Sequence, residues 1–535
     1  MSDAGQRLPG TMEIQNAVKR ANSAMLRGDV EGANAIAAPL LDAGAEDPFL
    51  LKVRALWLHN AGHFRDALRT FHHARTLTPQ DAMIANGIAG CLAGLGQFDA
   101  ALKMADTALA LAPNAPPIHY MRAWVLENAR NYEAARTAYE SVIALSPRHA
   151  AALAGLASVC ARLGDYAAAR KHAGEALQVT QFQPTASLAL ATTDIAEGNP
   201  DAAAARMEEL GQHASQLPPP ARALRLGTLG DARDAQGRYD EAFSAYRAKN
   251  TELKTQFAAA MRDRPSMTDQ ISATSDRLDA TAISQWTQPS TTEAAGDEPA
   301  AHVFLLGFPR SGSTLLARVL AANSGVTSLD ERGTLRSLAD TYLANPAGID
   351  QLATLGDLAV IEARKAYWQK VRELGVEPAG KVFIDKDPLN TVSLPLIAKF
   401  FPTAKVVFAI RDPRDVLLSC YRRLFVIDPV NFELLDIESG ARFYSEAMRL
   451  AATCRTSLPL SIKDCRYESL IGDFEETVRS VCAFLHIEWN DEMQEIAKHM
   501  QAEDRAGHWK HYRSHLDAAM PTLAPWIEKF GYPES

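Results

Sequence analysis

The first half of this chain repeats itself every 34 residues, and that interval decides which folds are open to it. Gly28, Gly62, Gly96, Arg130, Gly164 and Gly198 stand one period apart. An aromatic lies two residues beyond four of them, at Phe64, Phe98, Tyr132 and Tyr166, and an alanine three further on, at Ala67, Ala101, Ala135 and Ala169. Pro79, Pro113 and Pro147 keep the same interval. The physical reading is a stack of antiparallel helical hairpins. Alanine and glycine let two helices approach closely, the aromatic fills the gap to the next pair, and proline ends the second helix. Each hairpin can bury its apolar face only against its neighbours.

In period and residue types the array resembles the tetratricopeptide repeat. The resemblance implies an all-α superhelix with a concave inner surface over residues 11–255. Gly237-Arg238-Tyr239 opens a last unit after Pro218, Pro219 and Pro220 interrupt the period. Two uses stay open for such an array: a scaffold or homodimerisation element, and a groove that holds a protein or peptide acceptor. Asn60, Arg130 and Asn131 make no obvious carboxylate clamp, so the sequence selects no peptide terminus. Residues 256–300 read as a linker. The helix-compatible Phe257–Met261 gives way to a Ser/Thr/Asp-rich segment that ends in Gln288-Pro-Ser-Thr-Thr-Glu-Ala-Ala-Gly-Asp-Glu-Pro299.

After Pro299 short apolar runs alternate with amphipathic stretches. Residues 302–307, 381–385, 404–410 and 460–466 read as strands, and 313–323, 391–400, 414–424, 437–454 and 472–485 as helices. The alternation predicts an α/β domain over 301–535 with a mainly parallel sheet, whose ligands sit at the carboxyl ends of the strands. Two polar motifs fall there. The first strand runs into Gly307-Phe-Pro-Arg-Ser-Gly-Ser-Thr314, a P-loop-like outline with Ser313 in place of the lysine that reaches the β/γ-phosphates of a Mg-nucleotide. A glycine turn followed by a helix start would place the backbone N–H groups of 310–315 around a phosphate. Ser311, Ser313 and Thr314 would add hydroxyls beside Gly312, and Arg310 a bidentate cation.

The second motif ends the strand at 404–410 with Arg411-Asp412-Pro413-Arg414, followed by Ser419 and Arg423. The last two would share a helix face at i,i+4, and with Arg411 they suggest a second anion site. The plainer readings are a tight turn with incidental hydroxyls for the first motif and an Arg-Asp surface network for the second.

Together the motifs resemble the sulfotransferase superfamily that uses 3'-phosphoadenosine 5'-phosphosulfate (PAPS). Within it the resemblance is to tyrosylprotein sulfotransferases and their bacterial relatives with tetratricopeptide repeats ahead of the transferase domain. It covers residues 302–487, and the order of domains extends it along the chain. It implies that 309–314 holds the 5'-phosphosulfate, while Arg411, Ser419 and Arg423 clamp the 3'-phosphate, which ATP lacks. It implies Glu331, in Ser328-Leu-Asp-Glu-Arg332, as the base that takes the acceptor's proton, with Asp330 as a rival. Lys386, in Phe383-Ile-Asp-Lys-Asp-Pro388, would stabilise the leaving oxygen together with Arg310, and Tyr467 would lie near the nucleotide. Read without the resemblance, Lys386 pairs with Asp385 or Asp387. Gly507-His508-Trp509 resembles the family's basic-Trp element, with His508 at the basic position. The segment 488–506 looks too short and too acidic for the family's full lid.

Composition narrows the choice. A net charge of -9 argues against a general nucleic-acid binder, and no apolar run approaches the ~18 residues of a membrane span. The first residues carry no apolar signal stretch, so the expected location is cytoplasmic. Six scattered cysteines read as free thiols, with neither a zinc site nor a disulfide framework, and no metal is expected. The function that results is transfer of a sulfonate from PAPS to a hydroxyl on a protein tyrosine, a glycan or a small molecule. One alternative is an inactive, nucleotide-binding transferase-like domain on a repeat scaffold. A P-loop kinase or NTPase is another, but it requires the missing loop lysine and an aspartate for Mg²⁺, a part that Asp412 suits poorly.

Overall fold

The computed structural model describes residues 9–262, 264–278, 286–287, 299–345, 347–499 and 506–534. Two compact units divide the chain, one ending at Gly237 and the other beginning at Arg238. The helix Tyr239–Met261 thus runs through the boundary expected at residue 255 and lies in the second unit. Of the expected linker, residues 263, 279–285 and 288–298 fall outside the described residues, while its described part includes the end of the helix Tyr239–Met261 and the further helix Met267–Arg277. Residues 500–505 of the expected short lid segment also lie outside the described residues.

The first unit is all helical. Its central hairpins pair Pro48–Asn60 with Phe64–Leu77, Ala82–Gly94 with Phe98–Leu111, Pro116–Asn128 with Tyr132–Leu145, and Ala150–Leu163 with Tyr166–Val179. Each second helix begins on the periodic aromatic. The turn before it needs a residue in the left-handed region, and Gly62, Gly96 and Gly164 supply it with φ between 75° and 80°. Arg130 occupies the same turn at φ 60°, which a residue bearing a Cβ adopts only at a cost. The four periodic alanines are fully buried. Close approach explains other small residues too. A Cβ on Gly87 would lie 2.3 Å from the Phe71 ring, and one on Gly155 2.4 Å from the Tyr139 ring.

In the second unit the helices Tyr239–Met261 and Met267–Arg277 precede a five-stranded sheet. Its strands are β1 (Ala301–Gly307), β2 (Val326–Asp330), β3 (Val382–Lys386), β4 (Lys405–Ile410) and β5 (Ser461–Arg466). They lie in the order β2-β3-β1-β4-β5, every pair parallel. From central β1 the chain builds β2 and β3 on one side and β4 and β5 on the other, the arrangement in which ligands collect at the carboxyl edge. Four of these strands match those read from the sequence, and β2 is additional.

Alternation sorts the core into two layers. Phe304, Leu306, Phe383, Val406 and Phe408 face one way, into a cluster with Tyr367 and Trp368 of helix Asp357–Glu373 and with Phe443 and Tyr444 of helix Ile437–Ser457. Val303, Leu305, Ile384 and Val407 face the other way, toward Leu316 and Leu320 of helix Ser313–Ala321 and Val478 and Val481 of helix Phe474–Leu485. The register sets Leu305 and Asp330 each level with Lys386, and Gly307 level with Ala409. All five strands therefore deliver their last residues to one edge.

Candidate active site

The loop after β1 is shaped by two glycines. Gly307 has φ 144°, and a Cβ there would lie 2.6 Å from the Ala409 carbonyl oxygen of the neighbouring strand. Its N–H donates to Thr391 Oγ1 at 3.0 Å, and that hydroxyl donates back to the Gly307 carbonyl at 2.5 Å. Arg310 takes φ 72° and Gly312 φ 94°, so the chain turns sharply before helix Ser313–Ala321 begins. A Cβ on Gly312 would lie 2.5 Å from the Tyr467 ring, so the loop presents bare backbone where that ring packs. Ser311 and Ser313 are buried, and Thr314 is exposed.

The two motifs meet. Arg310 Nε donates to Ser419 Oγ at 3.0 Å, and Arg411 Nη1 donates to the Arg310 carbonyl at 3.1 Å. The Arg411 guanidinium stands 4.4 Å over the Tyr467 ring. Residues from the carboxyl ends of β1, β4 and β5 thus form one cluster with a hydroxyl from helix Pro413–Arg422. Arg423 is placed differently from the i,i+4 reading. The helix ends at Arg422, and Arg423 is its C-cap with extended backbone (φ -75°, ψ 152°) and an exposed side chain.

Lys386 ends β3 with its side chain only 1% exposed. Its ammonium lies 2.7 Å from Glu331 Oε1 and 2.5 Å from Asp330 Oδ1; the Glu331 side chain is 49% exposed and that of Asp330 66%. Glu331 sits at φ 49°, and its N–H donates to the Lys386 carbonyl at 2.8 Å. The sequence neighbours Asp385 and Asp387 take other parts. Asp385 faces the opposite layer, and Asp387 caps the turn at Leu389 N with a 3.0 Å bond. Burial, and then the Glu331 and Asp385 carboxylates, push the Asp387 carboxyl up to about 7. Among the described residues no group of three His, Cys, Asp or Glu is placed to hold a metal.

Several supporting residues escaped the sequence reading. Arg414 is fully buried, bidentate on Asp412 (2.9 and 2.8 Å) and 3.7 Å over the Trp509 ring. Asp415 accepts from the N–H groups of Gly507 (2.6 Å) and Trp509 (2.8 Å), which anchors the basic-Trp element at the start of helix Pro413–Arg422. His508 packs near the rings of Tyr239 and Tyr512, at 6.1 and 5.6 Å between centroids. Glu468 accepts from Asp412 N (3.2 Å) and Tyr532 Oη (2.7 Å). The signal was the dense charge of Asp412-Pro-Arg-Asp415, which in a sequence looks like an ordinary solvated helix start.

Each of the two parts resembles known proteins. Residues 302–491 match the sulfotransferase family, and 58–125 and 120–186 match tetratricopeptide-repeat families. Protein-tyrosine sulfotransferase 1 of Danio rerio is 28% identical over 194 residues, which cover 35% of this chain and 54% of that protein. A putative protein-tyrosine sulfotransferase of Caenorhabditis briggsae is 28% identical, covering 36% of this chain and 67% of that one. The Drosophila melanogaster protein-tyrosine sulfotransferase is 26% identical, with 35% and 38% covered. The chain spans about half the length of the curated relatives it matches. Among solved structures, a tetratricopeptide repeat protein from Parabacteroides merdae matches 45% of this chain and 93% of its own at 16% identity, with a TM-score of 0.36. No helix among the described residues is long and apolar enough to cross a membrane. The chain therefore carries a tetratricopeptide-repeat region followed, at residues 302–491, by a domain of the sulfotransferase family.

Proposed function

We propose that the second unit transfers a sulfonate from PAPS to a hydroxyl acceptor. One observation carries the reading: a buried lysine, Lys386, stands 2.7 Å from the Glu331 carboxylate at the same strand edge as a phosphate loop that lacks its own lysine. A loop NTPase would keep the cation inside the loop. Here it arrives from β3 and brings a carboxylate with it, the pair that proton removal and leaving-group stabilisation together require.

The chain's residues fit such a donor at both ends. The loop backbone, left bare by Gly307 and Gly312, with Arg310, Ser311, Ser313 and Thr314, would hold the 5' side. Arg411 and Ser419, joined to Arg310 through hydrogen bonds, would take the 3'-phosphate, with Arg423 at the rim and Tyr467 against the nucleotide. When bound, the donor supplies an activated sulfonate on a phosphosulfate anhydride. Glu331 accepts the proton of the acceptor hydroxyl as its oxygen bonds to sulfur and the bond from sulfur to the 5'-phosphate oxygen breaks. That oxygen keeps the electron pair and needs a cation. An ammonium has three donors, of which Lys386 gives two to Asp330 and Glu331, and the third serves the leaving oxygen alongside Arg310.

The relatives are named for protein tyrosine, which favours a phenolic acceptor over a glycan or small-molecule hydroxyl. The repeats would hold that acceptor or another protein, or pair two copies of the chain, in a cytoplasmic enzyme. Thermal unfolding with adenosine 3',5'-bisphosphate, ATP or Mg-ATP tests the donor site. The bisphosphate should stabilise by ~4 kcal/mol at ~1,000 Kd. Stabilisation by ATP and none by the bisphosphate would refute the assignment. Transfer of labelled sulfonate from PAPS to tyrosine peptides then tests the chemistry, and a Glu331→Gln variant as active as wild type would remove that residue from it.

A further inference from the structure

Asp385 and Thr334 take no part in the chemistry just described, yet they hold the turn that carries Glu331. β3 sends Lys386 toward the site and Asp385 into the aromatic layer beside Phe304 and Tyr367. There the Asp385 carboxyl, 1% exposed, accepts from Thr334 Oγ1 at 2.5 Å and from Tyr367 Oη at 2.7 Å. Tyr367 Oη lies 2.9 Å from His302 Nε2. Since the tyrosine's single proton goes to Asp385, the histidine nitrogen donates to the tyrosine oxygen. Burial pushes the His302 imidazole down to about 3 and Asp385 upward, as expected of a polar chain inside a ring-lined core.

Such a chain is costly to bury unless every member is bonded. Its outward end is Thr334, three residues after Glu331, in a turn where Glu331 (φ 49°) and Gly333 (φ 59°) are both left-handed. A glutamate in that region is strained by ~1–2 kcal/mol. Strain of this kind persists only where the surroundings over-determine it. Two bonds do so, and they reach consecutive residues of β3: Glu331 N–H to the Lys386 carbonyl, and Thr334 Oγ1 to the Asp385 carboxyl.

We propose that Asp385 and Thr334 are positioning residues whose hydrogen bond clamps the Glu331–Thr334 turn and so aims the Glu331 carboxylate at Lys386 and the acceptor hydroxyl. The inference rests on the assignment of Glu331 as the base. Thr334→Val removes the hydroxyl at nearly constant volume, and Thr334→Ser keeps it. Amide exchange in the full-length protein, read on peptides spanning 331–335, should speed up about tenfold or more in Thr334→Val and stay near wild type in Thr334→Ser. Transfer from PAPS to a glutamate–tyrosine copolymer should lose about tenfold or more in kcat in Thr334→Val, with the donor KM and the stabilisation by adenosine 3',5'-bisphosphate unchanged. The serine variant should recover the rate. In a Glu331→Gln background Thr334→Val should cost nothing further.

Wild-type exchange in Thr334→Val would overturn the clamp. So would an equal rate loss with and without Glu331, or a parallel loss of bisphosphate binding, which marks a merely structural role. Full activity of Glu331→Gln, or no wild-type transfer to the copolymer, would count against the proposed chemistry, and the exchange measurement alone would then decide the clamp.

Discussion

Replacing Arg414 with methionine removes the best-satisfied buried charge at the carboxyl edge while keeping most of its aliphatic stem. The guanidinium is fully buried, grips Asp412 bidentately, donates to the carbonyls of Pro533 (2.7 Å) and Glu534 (3.1 Å), and lies face-on to Trp509. Breaking one side of a buried pair costs about 3–5 kcal/mol, because the abandoned charge stays desolvated. Two details set where in that range the loss should fall. Asp412 keeps its cap bond from the Arg414 N–H (3.0 Å), which eases the abandoned carboxylate, and the residues of the two carbonyls are exposed and can regain water. Against that, a desolvated cation over an indole adds ~2 kcal/mol. We expect ~4 kcal/mol for the second unit. Urea unfolding of the full chain measures it, with amide exchange of peptides around Trp509 assigning the transition that moves. Asp412→Asn with Arg414→Met should recover at least ~2 kcal/mol of the sum of the single losses. A loss under ~1 kcal/mol for Arg414→Met, or strict additivity of the pair, would refute the account.

Gly312→Ala combines a left-handed backbone, worth ~1–2 kcal/mol against a Cβ, with a 2.5 Å approach to Tyr467. Adenosine 3',5'-bisphosphate affinity should fall at least ~10-fold by calorimetry, and unchanged affinity would mean the loop is not the anion cradle. Lys249→Met takes a buried ammonium away from the carbonyls of Tyr421, Arg422 and Arg423, which it meets at 3.0, 2.7 and 2.9 Å. A cost of about 3 kcal/mol is expected, since buried acceptors are left unsatisfied, and an unshifted Tm would contradict it. Asp387 titrates near 7 in the folded protein, raised from the usual carboxylate range. Its contribution to stability is therefore present at low pH and lost as pH rises through about 7. Asp387→Asn cannot ionise yet can still cap Leu389, so its stability relative to wild type should climb by at least ~1 kcal/mol between pH 4 and 8. A flat difference would show that the carboxyl titrates normally.

What could be read from the sequence was what short stretches of chain decide for themselves. The repeat turns are an example, because a left-handed residue before a helix asks for glycine wherever it recurs. Gly307 to Thr314 was legible for the same reason. β2 was not: Val-Thr-Ser-Leu-Asp is short and half polar, and it is a strand because β3 lies beside it in register. That register also settles the partner of Lys386. The sequence offered Asp385 and Asp387 as neighbours, but alternation turns Asp385 to the opposite face and the parallel ladder brings Asp330 level instead. Arg310, Arg411, Ser419 and Tyr467 could be proposed as members of one site, whereas their contacts depend on strand order. The helix Tyr239–Met261 carries the same amphipathic pattern as a repeat helix. Its side-chain contacts place it within the second unit: the buried Lys249 and Asn250 both bond the Tyr421 carbonyl, and the Phe243 ring stacks on Tyr421 and His515.

Those scattered contacts converge on one short element, the helix Pro413–Arg422. Its positive end meets two buried carboxylates, Asp412 as N-cap and Asp415 in the first turn, and its negative end meets the Lys249 ammonium. Both signs suit the helix dipole. The charges come from different places in the chain. Asp412 and Asp415 tie residues 507–534 to the helix start through Arg414, Gly507 and Trp509, while Lys249 ties residues 239–261 to its end. Between the two anchored ends lies Ser419, buried, with its hydroxyl on Arg310. Arg310 is itself a strained residue at φ 72°, and a loop arginine held in that region needs a fixed partner to keep it there. A helix free to slide or fray could not provide one. The segments that flank the α/β core in sequence thus bear directly on the proposed anion site: by pinning both ends of this helix they fix the hydroxyl that fixes the loop arginine. A transferase fragment cut at residue 301 would retain every site residue and yet lack the Lys249 anchor, so it should bind adenosine 3',5'-bisphosphate more weakly than one that begins at Arg238.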